Sequence, residues 1–364
     1  MTKPVFASAA LFSWYDQHGR DLPWRRRWPE LAPAYHVWLS EIMLQQTVVT
    51  TVIPYFLDFI RRWPRVEDLA DAPLDDVLAA WAGLGYYARA RNLHKAAKFV
   101  AEECGGQFPQ TGDDLRALPG VGPYTAGAIV AIAFGQGSVV VDGNIERVMA
   151  RFFGISTPLP AAKAEIGRHY AAIMPDERPS DFPQALMDFA NAVCTPKGAN
   201  CQPCPFASHC TAFAAGTVEA FPVKPAKKAR ETRRGIAFVA RARSGEVFLV
   251  RRQDSGMLGG MLAFPSIGWA TRGEDFDSNA ALDAAPFPAA WRRLDHRVQH
   301  VFTHFAVEME VAVADITAPA DVAEPAVAGD WKLVRPADLP SLMRKVWKAA
   351  HKATAKAEWV GISD

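Results

Sequence analysis

The stretch 194-CTPKGANCQPCPFASHC-210 holds four of the five cysteines of the chain, in the spacing C-x6-C-x2-C-x5-C. Four thiols this close together indicate a pair of disulfides, a zinc ion or an iron–sulfur cluster. Structural zinc sites typically combine two C-x2-C knuckles, or one knuckle and two histidines, across a longer loop. This stretch has a single C-x2-C, so its spacing favours a [4Fe–4S] cluster, with zinc as the alternative. The expected ligands are Cys194, Cys201, Cys204 and Cys210.

The charge of the chain is distributed unevenly along the sequence. The formal net charge is +1, whereas residues 1–222 carry 19 Lys and Arg against 22 Asp and Glu. Residues 223–234, VKPAKKARETRR, hold six basic residues and one acidic residue. Such a run is typical of a solvated linker, which can also lie along a polyanion. A chain of 364 residues exceeds what one hydrophobic core usually supports, so we expect two domains.

The N-terminus predicts no export signal. The stretch MTKPVFASAALFSWYDQHGR carries one Lys and a short apolar run that continues directly into polar residues, which favours an amphipathic helix. No uninterrupted apolar run is long enough to span a membrane. We therefore expect a cytoplasmic protein without membrane contact, and a reducing cytosol excludes the disulfide interpretation of the four cysteines.

The hydrophobic pattern changes at the basic run. Before it, apolar residues recur at three- and four-residue spacing, as in HVWLSEIMLQQTVVTTVIPYFLDFI (36–60), which predicts successive helices. After it, RGIAFVARARSGEVFLVRR (234–252) contains two β-rich runs joined by a Ser-Gly turn. We expect an all-α domain at residues 1–222, a linker at 223–235 and a smaller α+β domain at 236–364.

The stretch LPGVGPYTAGAI (118–129) fits a helix-hairpin-helix at about residues 115–130. Gly120 and Gly122 permit a tight turn whose backbone amides lead into a helix N-terminus. Such a turn binds phosphate without positive side chains, so a slightly acidic domain can still bind DNA.

Two carboxylates have the environments of an acid and a base. Glu41 shares a predicted helical face with Leu44 and Val48, so we expect burial to raise its pKa. Asp142, in VDGN, stands at a helix start, where its ionised form is favoured. A protonated acid paired with an ionised carboxylate is the combination that breaks glycosidic bonds through an oxocarbenium-like state. A buried structural Glu and a simple N-cap are the alternative interpretations.

Together, the cysteine loop, the LPGVGPYTAGAI turn and the SEIMLQQT and VDGN motifs resemble the adenine DNA glycosylases of the endonuclease III superfamily. The resemblance runs from DLPWR (21–25) to the C-terminal helix. It implies that Glu41 protonates adenine N7, that Asp142 stabilises or captures the sugar cation, and that Asn144 positions the nucleophile side. Lyase-active relatives carry a catalytic lysine where this chain has Tyr124, and a phenol cannot form a Schiff base. The resemblance therefore implies a monofunctional glycosylase in which Tyr124 holds the carboxylate geometry by hydrogen bonding.

The resemblance also implies binding roles for other side chains. An adenine pocket is expected from Trp24, Arg25, Leu44 and Gln184, and a wedge beside the flipped base from Gln45 and Tyr86. Arg89 is expected to lie near a phosphate. The insertion-like RRRWPELAP and the residue Val48, where a polar residue is common, depart from the family pattern.

Residues 236–364 resemble the Nudix-like domain by which this family recognises 8-oxoguanine. The segment lacks the Glu-rich helix that a Nudix hydrolase uses to hold metal ions, so pyrophosphate hydrolysis is not expected. HVFTHF (300–305) matches the family's Phe-Ser-His loop through Phe302, Thr303 and His304. Threonine retains the hydroxyl of the usual serine.

We therefore expect a monomeric enzyme that excises adenine mispaired with 8-oxoguanine or guanine from double-stranded DNA. The cluster is expected to stabilise a loop beside the DNA. An endonuclease III-like or thymine-mismatch glycosylase, a non-catalytic DNA-damage-binding protein and a Nudix hydrolase are the alternatives.

Overall fold

The computed structural model describes residues 6–225, 230–253, 256–270, 276–278, 280–302 and 304–354. The chain divides into two compact units, Met1–Ala226 and Lys227–Asp364. The first strand of the second unit begins at Glu231. Residues 231–235, which we expected in the linker, therefore belong to a sheet.

The first unit consists of helices and two 3₁₀ turns, at Ala207–His209 and Val218–Ala220. Its α-helices among the described residues are α1 (Ser8–His18), α2 (Ala34–Leu44), α3 (Val49–Arg62), α4 (Val66–Asp71), α5 (Leu74–Ala80), α6 (Ala88–Glu103), α7 (Gly112–Arg116), α8 (Pro123–Phe134), α9 (Gly143–Phe153), α10 (Lys163–Ile173), α11 (Asp181–Ala192) and α12 (Thr211–Ala214).

Helices α2 and α8 lie at the centre of this unit. Most residues of both helices are buried, as expected for helices that are apolar on nearly every side. Trp38 on α2 is fully buried and packs against Phe108. The helices that carry Glu41 and Tyr124 are therefore held in a rigid core.

The segment 36–60 forms parts of two helices, α2 and α3, so the helical face expected to run from Glu41 to Val48 is interrupted. Gln46, at the break between α2 and α3, has a φ of 58°, in the left-handed region that interrupts a right-handed helix. Val48 is the N-cap of α3 and is 66% exposed. It therefore does not share the helical face of Glu41, contrary to the expectation.

The predicted helix-hairpin-helix is formed by α7 and α8. Gly120 has a φ of 82°, and a Cβ at this position would lie 3.0 Å from Asn92, so the turn needs glycine here. Gly122, the N-cap of α8, has an ordinary φ of −93°. Space is open where its Cβ would lie, so its conformation does not require glycine.

The second unit is a mixed sheet with one long helix, α13 (Ser341–Thr354). Its strands are β1 (Glu231–Ala242), β2 (Val247–Arg251), β3 (Leu262–Ala263), β4 (Ser266–Ile267), β5 (Arg292–Arg293), β6 (Val298–Val301), β7 (Phe305–Ile316) and β8 (Asp330–Lys332). The order β3-β2-β1-β7-β5 forms the main path, with β4 on β1, β6 on β7 and β8 on β2. β1 and β7 are parallel from the pair Glu231–Phe305 to the pair Ala242–Ile316. An all-α unit is thus followed by an α+β unit, as predicted.

Candidate active site

A cavity of about 550 Å³ opens in the helical unit. Five separate segments of the chain contribute to its walls, and nine predicted site residues lie there: Trp24, Arg25, Glu41, Leu44, Gln45, Tyr124, Asp142, Asn144 and Gln184. Tertiary packing thus places the predicted acid, the predicted carboxylate and the predicted adenine-pocket residues around one space.

Glu41 points into this cavity from a buried position on α2. Glu41 is only 8% exposed, and this burial raises the pKa of its carboxyl group to about 7. A hydrogen bond from Tyr124 and the charge of Arg25 lower this pKa, whereas the charge of Asp142 raises it. A carboxyl group with a pKa near 7 holds a proton at neutral pH and releases it readily, as a general acid must.

Asp142 is the N-cap of α9 and lines the same cavity. One of its oxygens accepts hydrogen bonds from the backbone N–H groups of Asn144 and Ile145, at 3.0 and 2.8 Å. The other oxygen accepts from Nδ2 of Asn144 at 2.7 Å. Three donors and the positive end of a helix stabilise the negative charge and fix the carboxylate. Asp142 is thus both an N-cap and a cavity residue, so the two interpretations are compatible.

Tyr124 lies in the first turn of α8, next to both carboxyl groups. Burial, with the charges of Glu41 and Asp142, holds the pKa of its phenol well above the usual range. The hydroxyl therefore stays protonated and can donate a hydrogen bond to Glu41. Its other neighbour is Sδ of Met187, at 4.0 Å.

The walls of the predicted adenine pocket contain both apolar and polar groups. Trp24 is 5% exposed and packs edge to face on Phe56, with ring centroids 5.2 Å apart. Gln184 is buried, and its Nε2 donates to the carbonyl of Ser180 at 2.8 Å, which fixes the orientation of the amide. Flat apolar walls and a fixed amide suit a planar heterocycle.

Asp188 was missed by the sequence analysis. This α11 residue is 2% exposed on its side chain and binds both Nη atoms of Arg25, at 2.7 and 3.1 Å. Nε and the backbone N–H of Arg20 also donate to it, each at 2.7 Å. Burial acts to raise the pKa of Asp188, but its bonds to the two arginines lower it overall. Asp188 follows Gln184 by four residues, so both lie on one face of α11. This spacing was the signal in the sequence that could have identified Asp188.

Three predicted DNA-contact residues lie outside the cavity walls. Tyr86 is 56% exposed and has a φ of 49°, whereas Gly120 and Gly122 lie on the helix-hairpin-helix turn. Tyr86 is thus more than half exposed, with the guanidinium of Arg89 5.5 Å from its ring centroid.

Arg89 does not have the predicted environment. It is 9% exposed, and its guanidinium donates to the carbonyls of Ile42, Met43 and Gln45. A side chain committed to buried carbonyls is not a phosphate ligand, so the expected phosphate contact is wrong.

The cysteine loop follows α11, and its four thiols are unpaired and partly buried. Nη1 of Arg151 lies 3.4 Å from Sγ of Cys194 and donates to the carbonyl of Thr195 at 2.7 Å. Arg147 also donates to the Cys194 carbonyl, at 2.7 Å, and to Oδ1 of Asn144, at 3.2 Å. The loop is therefore tied by two arginines to α9, the helix that Asp142 caps.

The described part of the chain contains no group of three or more His, Cys, Asp or Glu side chains already arranged to hold a metal ion. Burial raises the pKa of the Cys204 thiol to about 11, so without a bound cation this thiol stays neutral. The donor set nevertheless fits an iron–sulfur cluster, because four unpaired cysteines lie in one short loop and the guanidinium of Arg151 lies against Cys194.

In the second unit, Phe302 is held by other aromatic rings. It stacks on the buried Trp269, with centroids 5.9 Å apart and an interplanar angle of 8°, and packs against Phe305 at 5.0 Å. Arg252 covers Trp269, 5.1 Å from its ring centroid. His304 is exposed, and Thr303 lies outside the described residues.

Among the helices of the described residues, none has the length and apolar character needed to cross a membrane.

Comparison with known proteins defines the class of this chain. Residues 39–169 match the model of the HhH-GPD superfamily of base excision DNA repair proteins, and residues 236–349 match the NUDIX domain. The structure of a thermostable thymine-DNA glycosylase covers 57% of this chain and 94% of its own, with a TM-score of 0.53 and 28% identity. The chain is therefore a helix-hairpin-helix DNA glycosylase followed by a Nudix-like domain, which confirms the predicted fold class.

The human adenine DNA glycosylase is 37% identical over 358 residues, which are 83% of this chain and 65% of the human protein. The mouse adenine DNA glycosylase is 37% identical over 396 residues, 93% of this chain and 76% of the mouse protein. The chain belongs to the adenine DNA glycosylase family. The predicted family and enzyme class are thereby confirmed, although this chain spans just under two thirds of the human relative's length.

Proposed function

We propose that this protein is a monofunctional glycosylase that excises adenine mispaired with 8-oxoguanine, or with guanine, in double-stranded DNA. The observation that carries the proposal is the meeting of Glu41, Asp142 and Tyr124 in one cavity that also contains the fixed amide of Gln184.

The reaction begins with adenine flipped out of the duplex into this cavity. Glu41 donates its proton to N7 of the base, and the electrons of the N-glycosidic bond pass to the protonated base as it leaves. The sugar is left with a positive charge shared between C1′ and the ring oxygen. Asp142 stabilises this cation, and a water molecule that adds at C1′ yields an abasic site and releases a proton to the Glu41 carboxylate.

Asn144 and Tyr124 support these two carboxyl groups. Asn144 donates to Asp142, so the carboxylate keeps its orientation as the sugar becomes charged. Tyr124 bonds to Glu41 and offers no amine, so no Schiff base with the abasic sugar forms at this position.

The opposite strand is read by the second domain. We assign recognition of 8-oxoguanine to Phe302, Thr303 and His304. Support comes from the stack of Phe302 on Trp269 and from the exposed His304, which leaves a polar ring available to a base.

We assign a [4Fe–4S] cluster to Cys194, Cys201, Cys204 and Cys210. When bound, the cluster cross-links the loop and has a structural role. Arg151 offsets its negative charge and connects the loop to α9. The backbone N–H groups of the helix-hairpin-helix turn donate to a DNA phosphate. The protein acts as a monomer.

A single-turnover assay tests the proposal. The substrate is a duplex with adenine opposite 8-oxoguanine, and matched duplexes carry guanine opposite adenine or thymine opposite guanine. We expect strand breaks only with the substrates that contain mispaired adenine, and only after treatment with alkali. Breaks without alkali would contradict the monofunctional assignment, and excision of thymine alone would contradict the substrate.

A further inference from the structure

Arg89 joins two separate turns of the helical unit. From α6 the two Nη groups of its guanidinium reach six acceptors at 2.5–3.3 Å, the backbone carbonyls of Ile42, Met43, Gln45, Leu84 and Gly85 and Oγ1 of Thr47, so that some of their four N–H groups are shared between two acceptors. Its plane also lies over the rings of Trp81 and Tyr86, 5.3 and 5.5 Å from their centroids. One side chain thus holds the end of α2 and the turn before α6.

The partners of Arg89 explain why a charged group is stable at this depth. The last carbonyls of α2 have no partner within the helix and carry its negative dipole end. Burial lowers the pKa of Arg89, but a guanidinium stays charged in proteins. The carbonyls of Ile42, Gln45 and Gly85 each accept from a second donor, but removing Arg89 would leave the carbonyls of Met43 and Leu84 without this one, which is destabilising for buried groups.

Both turns have a strained backbone. Gln46 has a φ of 58° and Tyr86 a φ of 49°, and neither residue is glycine. Such a conformation is unfavourable for a residue with a side chain and persists only where the surroundings enforce it. Arg89 bonds to Gln45 and Thr47, on either side of Gln46, and to Gly85, immediately before Tyr86.

We propose that Arg89 is a positioning residue that holds the turn at Gln45–Thr47 and the turn at Tyr86 as one rigid wedge for the duplex. The inference rests on the proposed function, in which Gln45 and Tyr86 enter the space left by the flipped adenine. The bonds to Ile42 and Met43 also tie this wedge to α2, so insertion into the duplex and placement of Glu41 are mechanically connected.

The planar fork of arginine is essential to this role. Nη1 bonds to the carbonyls of Ile42, Met43 and Gln45, whereas Nη2 bonds to Thr47, Leu84 and Gly85, and the single ammonium group of lysine cannot replace both sets of bonds. Arg89→Lys keeps the charge but loses at least one of these two sets of bonds, so the turns are no longer held together by the full clamp. Arg178→Lys is a matched control, because Arg178 is also a partly buried clamp, bonded to Asp16 and Asp181 away from the cavity.

The test is a double-mutant cycle of Arg89→Lys and Tyr86→Ala. The probe is a duplex with adenine opposite 8-oxoguanine and 2-aminopurine as the neighbouring base, whose fluorescence rises when the wedge unstacks it. Excision is followed in the same samples. We expect Arg89→Lys alone to reduce the fluorescence change and the excision rate by about tenfold or more, a coupling in the range seen for contacting residues. In a protein that already carries Tyr86→Ala, Arg89→Lys should reduce the fluorescence change and the excision rate by less than about threefold.

If the fold-reductions of the two single variants multiply in the double variant, the inference is overturned, because Arg89 would then act independently of Tyr86. Arg178→Lys should lower stability without changing the fluorescence. If Arg89→Lys does not fold, Thr47→Val removes one bond of the clamp and should give a smaller effect that is also lost with Tyr86→Ala. A wild type that raises the fluorescence without excising adenine would refute the proposed function, while the fluorescence cycle would still decide the role of Arg89.

Discussion

Glu41 and Asp142 line the same cavity, but Glu41 is buried among helices whereas Asp142 caps α9 and accepts three hydrogen bonds. Burial is the main cause of the raised pKa of Glu41, and the charge of Asp142 adds to it. Asp142 accepts hydrogen bonds from three N–H donors at the start of α9. The proposed function assigns to Glu41 the role of the acid and to Asp142 that of the charge-stabilising group of a glycosidase.

The excision rate should fall as the pH rises. Glu41 must carry a proton to protonate adenine, and its pKa is raised to about 7. Single-turnover rates are expected to be constant below this pH and to decrease about tenfold per unit well above it. Glu41→Gln should reduce the rate by about 10²-fold or more and abolish the pH dependence. A wild-type rate that rises through neutral pH would contradict the assignment.

Glu41→Gln should also stabilise the protein at high pH. The folded state raises the pKa of Glu41 from 4.5 to about 7, so between these values it binds more protons than the unfolded state. The free energy of unfolding therefore decreases as the pH rises across this window and stays low above it. The glutamine variant lacks this loss and is expected to be more stable above pH 7 by up to about 3 kcal/mol. Urea unfolding at several pH values measures the difference, and equal stabilities throughout would show that Glu41 is solvated.

Asp142→Asn separates the capping role of this residue from its charge. Asparagine accepts the same backbone bonds at an N-cap, so stability should change by less than about 1 kcal/mol. The excision rate should fall by about 10²–10³-fold, because the sugar cation loses its counter-charge. Circular dichroism melting and single-turnover kinetics give the two values. An active Asp142→Asn would leave this carboxylate as an N-cap alone.

Tyr124→Phe should shift the pH profile without eliminating activity. The Tyr124 hydroxyl lowers the pKa of Glu41, so its removal moves the decline in rate to higher pH. Tyr35→Phe is the control, since this hydroxyl bonds to the Trp63 carbonyl and does not line the cavity. If both variants behave alike, Tyr124 is only a packing residue.

Cys201→Ser should prevent assembly of the cluster, whereas Cys104→Ser should not. Loss of a bound group that cross-links the 194–210 loop is expected to lower stability by at least about 2 kcal/mol and to weaken DNA binding. Cys104 caps α6, far from this loop in sequence, and its change should cost less than about 0.5 kcal/mol. Visible absorbance, iron content and thermal melting are the readouts. Iron retained in full by Cys201→Ser would refute the ligand assignment.

Local patterns of the sequence predicted the elements that carry the chemistry. The cysteine spacing, the glycine turn before α8 and the N-cap at Asp142 are short-range signals, because each depends on residues a few positions apart. The buried helical position of Glu41 was predicted in the same way, and its raised pKa has the expected direction and cause.

Only the tertiary structure decided which distant groups meet. The sequence pattern continued one helix through Gln46, but Arg89, more than forty residues later, binds the carbonyls where α2 ends. Arg89 itself looked like a surface cation, because a sequence does not reveal that buried carbonyls surround a charge. Asp188 likewise became part of the site only when α11 brought it to Arg25. Helical periodicity is a local property, whereas burial and ion pairing depend on contacts between remote segments, and those contacts exist only in the folded chain.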